Sequence, residues 1–257
     1  MLKLLSSVFM LIVLIVGCDS LNLDYQQEVS ETRTWSATGI NTIEARTVNG
    51  DIDFAITQDT IITAEITRSV FGTDSAEAAP FIDSIVITEE ISGGVLTLEA
   101  DVPDRDEDGR NYQAHFDFTT PESLNIVVAI VNGNALIRNM KSGAEISVVN
   151  GIITTENLEP GVEAYLVNGS IDCDMALLAA ADSAILAIVN GNVTLSLPSN
   201  VSATFDAFTG NGSVTVSGFS GVSYTTDESN HKAGTFGAGD AVIDINATSG
   251  DIVIEAR

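Results

Sequence analysis

Basic residues are scarce in this chain. Lys and Arg together number 10 of 257 residues, against 36 Asp and Glu, giving a formal net charge of −26 at pH 7. Such a surface repels nucleic-acid phosphates and anionic lipid head groups, so nucleic-acid binding is excluded. The acidity suits solubility and opposes edge-to-edge association of strands. Cysteine is scarce too, with only Cys18 and Cys173. A disulfide between them is not expected, because Cys18 belongs to an export signal. Cys173 falls at an inward strand position, where it packs as a small hydrophobe. Histidine is limited to His115 and His231, and tryptophan to Trp35. No apolar run is long enough to span a bilayer comfortably: the longest, Leu4–Val16, is about thirteen residues where about twenty are needed.

That run follows Lys3 and ends in small residues, so 1–17 reads as a signal peptide. Ile15-Val16-Gly17-Cys18 resembles a bacterial lipobox. The resemblance implies that Cys18 becomes the first mature residue and carries acyl chains. Two or more chains, at roughly 0.8 kcal/mol per buried CH₂, hold a protein durably to a membrane. Residues 18–28 are polar and form a tether.

What the chain has in abundance is a repeated Val-Asn-Gly. It recurs at Asn132, Asn150, Asn168 and Asn190, with steps of 18, 18 and 22 residues. Weaker copies centre on Asn211 and Ser249, and an early copy on Asn49. A fixed period of about 20 residues marks a repeat architecture. With the Asn (or Ser249) as zero, positions −6, −4 and −2 are apolar: Ile146 and Val148, Ala164 and Leu166, Leu186 and Ile188. Positions −5 and −3 admit Glu44, Arg46, Glu145, Glu163, Asp206 and Asp244. Alternation with period two predicts half-buried strands. After the Gly the phase slips, and +3 and +5 become apolar, as at Ile153 and Ile171. Each repeat is therefore strand, Asn-Gly corner, strand.

Asn-Gly also suits a two-residue hairpin, which would give antiparallel sheets. Returning connectors such as 139–143 and 156–161 favour instead a single-stranded parallel β-solenoid, β-helix-like, of about 18–22 residues per coil. Stacked coils lie ~4.8 Å apart, and identical Asn side chains can form a ladder. The solenoid is assigned to 121–257, and 29–120 to a β-rich N-terminal cap holding the first repeat, an acidic loop and Trp35. A short helix around Ser75–Ile82, capped by Ser75 or Asp74, is limited by Pro80. Residues 218–239 read as loop-rich, and Gly234–Ala241 as a turn rather than a phosphate cradle. The final repeat leaves an uncovered edge, a surface for self-association or a partner.

Candidate chemistry is sparse. Asp104, Asp106, Asp108 and Gly109 match the opening of a calcium loop, but the twelfth position is His115 rather than Glu, and Arg105 and Arg110 intrude. We read it as a solvated acidic hairpin and assign no metal or other cofactor. Calcium stabilisation remains a third option. Glu145 and Glu163 share position −5 and would lie one rung apart, close enough to raise a carboxyl pKa. Val127 and Ile185 interrupt that ridge on both sides, so no catalytic residues are assigned and the chain is expected not to be an enzyme.

Thr47–Asp51 (TVNGD), Pro121–Gly133 (PESLNIVVAIVNG), LPSNVSATFDAFTGNGSVTVSG at Leu197–Gly218 and the closing FGAGDAVIDINATSGDIVIEAR resemble the bacterial adhesin-like β-strand-repeat family, a domain of unknown function. The resemblance covers about residues 35–257. It implies a right-handed parallel β-solenoid on an exported or membrane-linked protein, and carries over no catalytic residue. Together these readings point to a lipid-anchored cell-envelope protein facing the periplasm or exterior, acting as a non-catalytic structural or interaction module on an envelope protein or polysaccharide. The alternative is a polysaccharide-binding or carbohydrate-active β-helix protein, though only Tyr165 and Phe208 offer outward aromatic platforms at −3.

Overall fold

The computed structural model describes residues 9–11, 25–72, 78–103 and 111–257. Cys18 and the acidic loop Asp104–Asp108 lie outside them. The described chain is nearly all strand, with one 3-10 helix at Ala79–Ser84. That 3-10 segment follows Ala78 without a side-chain cap and has Pro80 in its first turn; the expected cap at Ser75 or Asp74 lies outside the described residues.

Seven repeats, at 42–57, 125–138, 144–158, 162–175, 183–197, 203–217 and 241–256, each run strand, corner, strand. The two arms of a repeat do not form a hairpin; each arm pairs in parallel with the same arm of a neighbouring repeat. Asn150 lies opposite Asn168, with Glu145 opposite Glu163 and Ile153 opposite Ile171. The inward positions deduced from period two are buried in all seven repeats at −6, −4 and −2, and at +3. They form one continuous aliphatic core that no single repeat could close by itself.

The glycine after each Asn explains both the corner and the phase slip. Gly169 has φ +143°, and a Cβ there would stand 1.7 Å from the carbonyl oxygen of Gly151. Only a hydrogen at that position lets successive corners approach so closely. Beside this runs a ladder of amides. Asn132 Nδ2 donates to Asn49 Oδ1 at 2.8 Å, Asn150 to Asn132 at 2.9 Å, Asn168 to Asn150 at 2.9 Å and Asn190 to Asn168 at 2.9 Å.

The stack does not follow chain order at its far end. The final repeat, 241–256, pairs with 183–197 on one side and with 203–217 on the other. The glycine contacts repeat this order: Gly250 abuts Gly191, and Gly212 abuts Gly250. The C-terminal repeat is therefore interior and has no uncovered edge, contrary to expectation. The reason is the segment read as loop-rich. Strand Ser223–Asp227 and strand His231–Phe236 form an antiparallel hairpin, and the latter also lies antiparallel on Ala203–Phe208. That hairpin covers the outer side of the first arm, at Ala203–Phe208, and sends the chain back to the inner side of the repeat. Phe236 stacks on Phe205 with ring centroids 4.5 Å apart, closing the core there.

The near end is also finished by antiparallel strands, so parallel pairing does not hold throughout. Strand Asn111–Pro121 pairs in parallel with Ile52–Thr57 and antiparallel with Ile61–Gly72, which pairs antiparallel with Tyr25–Ser36. Strand Val95–Asp101 lies parallel to Thr42–Arg46 and antiparallel to Val86–Ser92. Phe54 stacks on Phe118 at 4.4 Å across this end. Trp35 is buried, and its Nε1 donates to Glu89 Oε1 at 2.7 Å, tying the first long strand to the edge strand. A short strand, Phe9–Leu11, pairs antiparallel with Ser30–Thr32.

Candidate functional site

Position −1 of the repeat, just before the Asn, faces outward. It is Val48, Val131, Val149, Val167 and Val189 on five successive rungs, each 38–41% exposed. β-Branched residues suit a strand, but the core does not need these five, because the residues at −2 already fill it. They line one side of an open groove of about 810 Å³ that crosses the rungs. Its other side is position −3, which in spatial order reads Arg46, Ala129, Ser147, Tyr165, Ala187, Asn246 and Phe208. Small residues dominate that row, with half-exposed aromatic rings at Tyr165 and Phe208. Inserting the last repeat between them puts these two rings three rungs apart, about 14 Å.

Position −5 borders the groove and carries charge. Glu145 and Glu163 face each other in register, flanked by Val127 and Ile185 as their sequence positions indicated. Beyond Ile185 come Asp244 and then Asp206, a second in-register carboxylate pair. Sequence order hid that pair, because the two repeats are neighbours only after the final repeat is inserted. His231 Nε2 stands 2.9 Å from Asp206 Oδ1, although the residues are 25 apart in sequence. Tyr165 Oη donates to Glu163 Oε2 at 3.3 Å. Desolvation, with Glu163, Glu145 and Asp244 nearby, raises the Tyr165 hydroxyl above its ordinary pKa. At the near end Arg46 Nε donates to Glu44 Oε1 at 3.0 Å, and this bond raises the guanidinium pKa.

A second, smaller cleft of about 520 Å³ gathers Asp51, Asp53, His115 and Asp117 beside Thr67 and Thr154. His115, considered above as a loop ligand, sits on strand 111–121. Its Nδ1 accepts the Asp51 backbone N–H at 2.9 Å, which places the ring in the corner of the first repeat. Burial, and then Asp117, raise the Asp53 carboxyl above its ordinary range, against Arg138 at 3.8 Å. Among the described residues no group of three or more His, Cys, Asp or Glu is arranged to hold a metal ion. Cys173 is buried, accepts Thr155 Oγ1–H at 3.2 Å, and burial pushes its thiol up to about 12. No helix among the described residues is long and apolar enough to cross a membrane.

Parallel rungs with Asn-Gly corners define a β-helix-like repeat domain, and comparison places it. Residues 123–255 match the Toastrack family, DUF4097, and the chain belongs to that family. No curated protein matches it. Among solved structures, a candidate cell adhesion protein from Clostridium sporogenes has the same fold, with TM-score 0.53 and 12% identity over 90% of this chain and 100% of its own. A candidate adhesin from Bacteroides fragilis aligns at TM-score 0.38 and 15% identity, over 89% of this chain and 97% of its own. A candidate lipid binding protein from Parabacteroides distasonis aligns at TM-score 0.27 and 10% identity, over 89% and 96%.

Proposed function

We propose that this chain is a lipid-anchored cell-envelope protein built as a right-handed, single-stranded parallel β-solenoid of about 18–22 residues per coil. It works as a non-catalytic, adhesin-like interaction module, held by acyl chains on Cys18 and facing the periplasm or exterior. One observation carries this reading: the unbroken row Val48, Val131, Val149, Val167 and Val189 exposed on a rigid stack. A strongly acidic, otherwise soluble surface has no packing use for such a stripe, and apolar patches of this kind mark interaction sites. The amide ladder and the interlocked glycine corners hold the row in fixed geometry, so little entropy is lost when something binds. Open strand edges suited to self-association include Val86–Ser92, Val214–Ser217 and Ser223–Asp227, each paired along one edge among the described residues. The C-terminal repeat is not available for it.

The second reading, a polysaccharide-binding or carbohydrate-active protein, is favoured by Tyr165 and Phe208, half-exposed rings in the same groove. Two experiments test the first reading. Cys18→Ser should move the protein from the membrane to the soluble fraction; retention on the membrane refutes the anchor. Incubation with a panel of neutral and acidic glycans should give no turnover; any cleavage turns the assignment to the second reading.

A further inference from the structure

We propose that the valine groove is the docking site for a basic amphipathic helix of an envelope peptide or protein, laid across the rungs with its cationic flank on the position −5 carboxylates. This deepens the interaction-module reading above and rests on it. The groove has two unlike borders. On one side stands the uncharged amide ladder of Asn49, Asn132, Asn150, Asn168 and Asn190. On the other, five residues back along each strand and about 17 Å from the ladder, stand Glu145, Glu163, Asp244 and Asp206. Between these borders the walls are valine, alanine and serine over most of the length. An occupant that uses all three strips is apolar underneath, cationic along one flank and polar along the other.

Dimensions narrow the class. Five rung steps from Val48 to Thr248 span ~24 Å at the usual strand spacing, the length of a helix of about 16 residues. The half-exposed valines with Tyr165 and Phe208 form one apolar strip, but a second copy of this chain, itself at net charge −26, would set its own carboxylates against the position −5 row and so does not suit the patch. A single helix face docked at i, i+3, i+4 and i+7 does. A lone acyl chain would cover the valines and leave the carboxylate row unused. An anionic partner is repelled by that row and by the net charge of −26. The carboxylates form two adjacent pairs separated by the apolar rung of Ile185, so they are one or two rungs apart, which matches basic residues recurring every one to two helical turns rather than a continuous polycation.

The probe is a Leu/Lys peptide of about 18 residues, helical and with its Lys on one flank, titrated into the full chain by calorimetry at low and high salt. Its Glu-for-Lys analogue and 1-palmitoyl lysophosphatidylcholine are run in parallel. Binding by the Lys peptide alone is expected. The double change Glu145→Gln and Glu163→Gln should weaken it at least tenfold and flatten its salt dependence, and Val149→Arg should abolish it. Circular dichroism on each variant checks that the stack is intact; both sites are exposed, so it should be. No binding of the Lys peptide, equal binding of the Glu analogue, or affinity unchanged in the carboxamide variant each overturns the proposal. So does lysolipid binding that is lost in Val149→Arg and kept in the carboxamide variant, which would make an acyl chain the occupant. Adhesion of intact envelope fragments to the immobilised chain separates the two levels. Adhesion retained after the peptide fails removes only this inference; adhesion absent from the wild type removes the interaction-module reading itself.

Discussion

Gly169→Ala tests the corner geometry most directly. At φ +143° an alanine is strained, and its Cβ would stand 1.7 Å from the Gly151 carbonyl oxygen. Left-handed and neighbouring backbone regions cost a non-glycine residue about 1–3 kcal/mol. The overlap cannot be relieved by a side-chain rotation, because both partners are backbone. Two rungs must separate, or the corner must rotate out of register. Either motion strains the amide bonds that Asn168 makes, to Asn150 at 2.9 Å and from Asn190 at 2.9 Å, each worth about 1 kcal/mol net. The total is about 4 kcal/mol, a large share of the 5–15 kcal/mol of a typical domain. At roughly 2–4 °C per kcal/mol for a chain of this size, Tm should fall by about 8–16 °C in a calorimetric scan. Gly221→Ala is the control. Its φ is +73°, but a Cβ there meets nothing within 4 Å, so it should carry only the backbone cost, about 1–2 kcal/mol. If the two variants melt within about 2 °C of each other, close approach of the corners is not what the glycines provide.

Asn168→Asp keeps the shape of the ladder but removes the donor to Asn150; melting should drop by a few degrees at pH 7 and recover in acid as the carboxyl takes up the proton that restores a donor. Asp53→Asn should raise Tm at neutral pH. The native carboxyl is raised above its ordinary pKa by burial and by Asp117, so its ionised form opposes folding as pH rises past that value. The difference between variant and wild type should vanish below pH ~4, and a gain that persists in acid refutes the electrostatic cause. Cys173, held near 12 by burial, should resist thiol reagents at pH 8 in the folded chain and react on unfolding, as followed by absorbance. Deleting 241–257 should unfold repeat 203–217 as well, because that repeat pairs in parallel only with the deleted one; limited proteolysis would show cleavage within 203–217, and protection there would contradict the stacking order.

The sequence by itself determined the unit and its inside. Period two on each side of Asn-Gly named the buried positions, the phase slip located the corner, and the recurrence of Asn specified the ladder. It also placed Glu145 opposite Glu163 with Val127 and Ile185 beyond them. These properties are local: alternation, turn chemistry and spacing are written within about twenty residues of one another.

The valine row was in the sequence as well, one residue before every strong Asn, but its meaning was not. Period two assigns −1 to the outer face and says nothing of whether outer residues from five rungs meet in a concave groove. Only the tertiary structure decided that, and it decided the order of the rungs. Any repeat can pair with any other, because all present the same inward pattern and the same glycine corner. What selected 241–256 for the interior was the hairpin of Ser223–Asp227 and His231–Phe236, which occupies the outer edge of Ala203–Phe208 and leaves the inner edge of that arm as the one the last repeat can take. Asp206 met Asp244, and His231 met Asp206, for that same reason. Contacts fixed by competition between equivalent strand edges depend on the whole chain at once, and no window of sequence contains them.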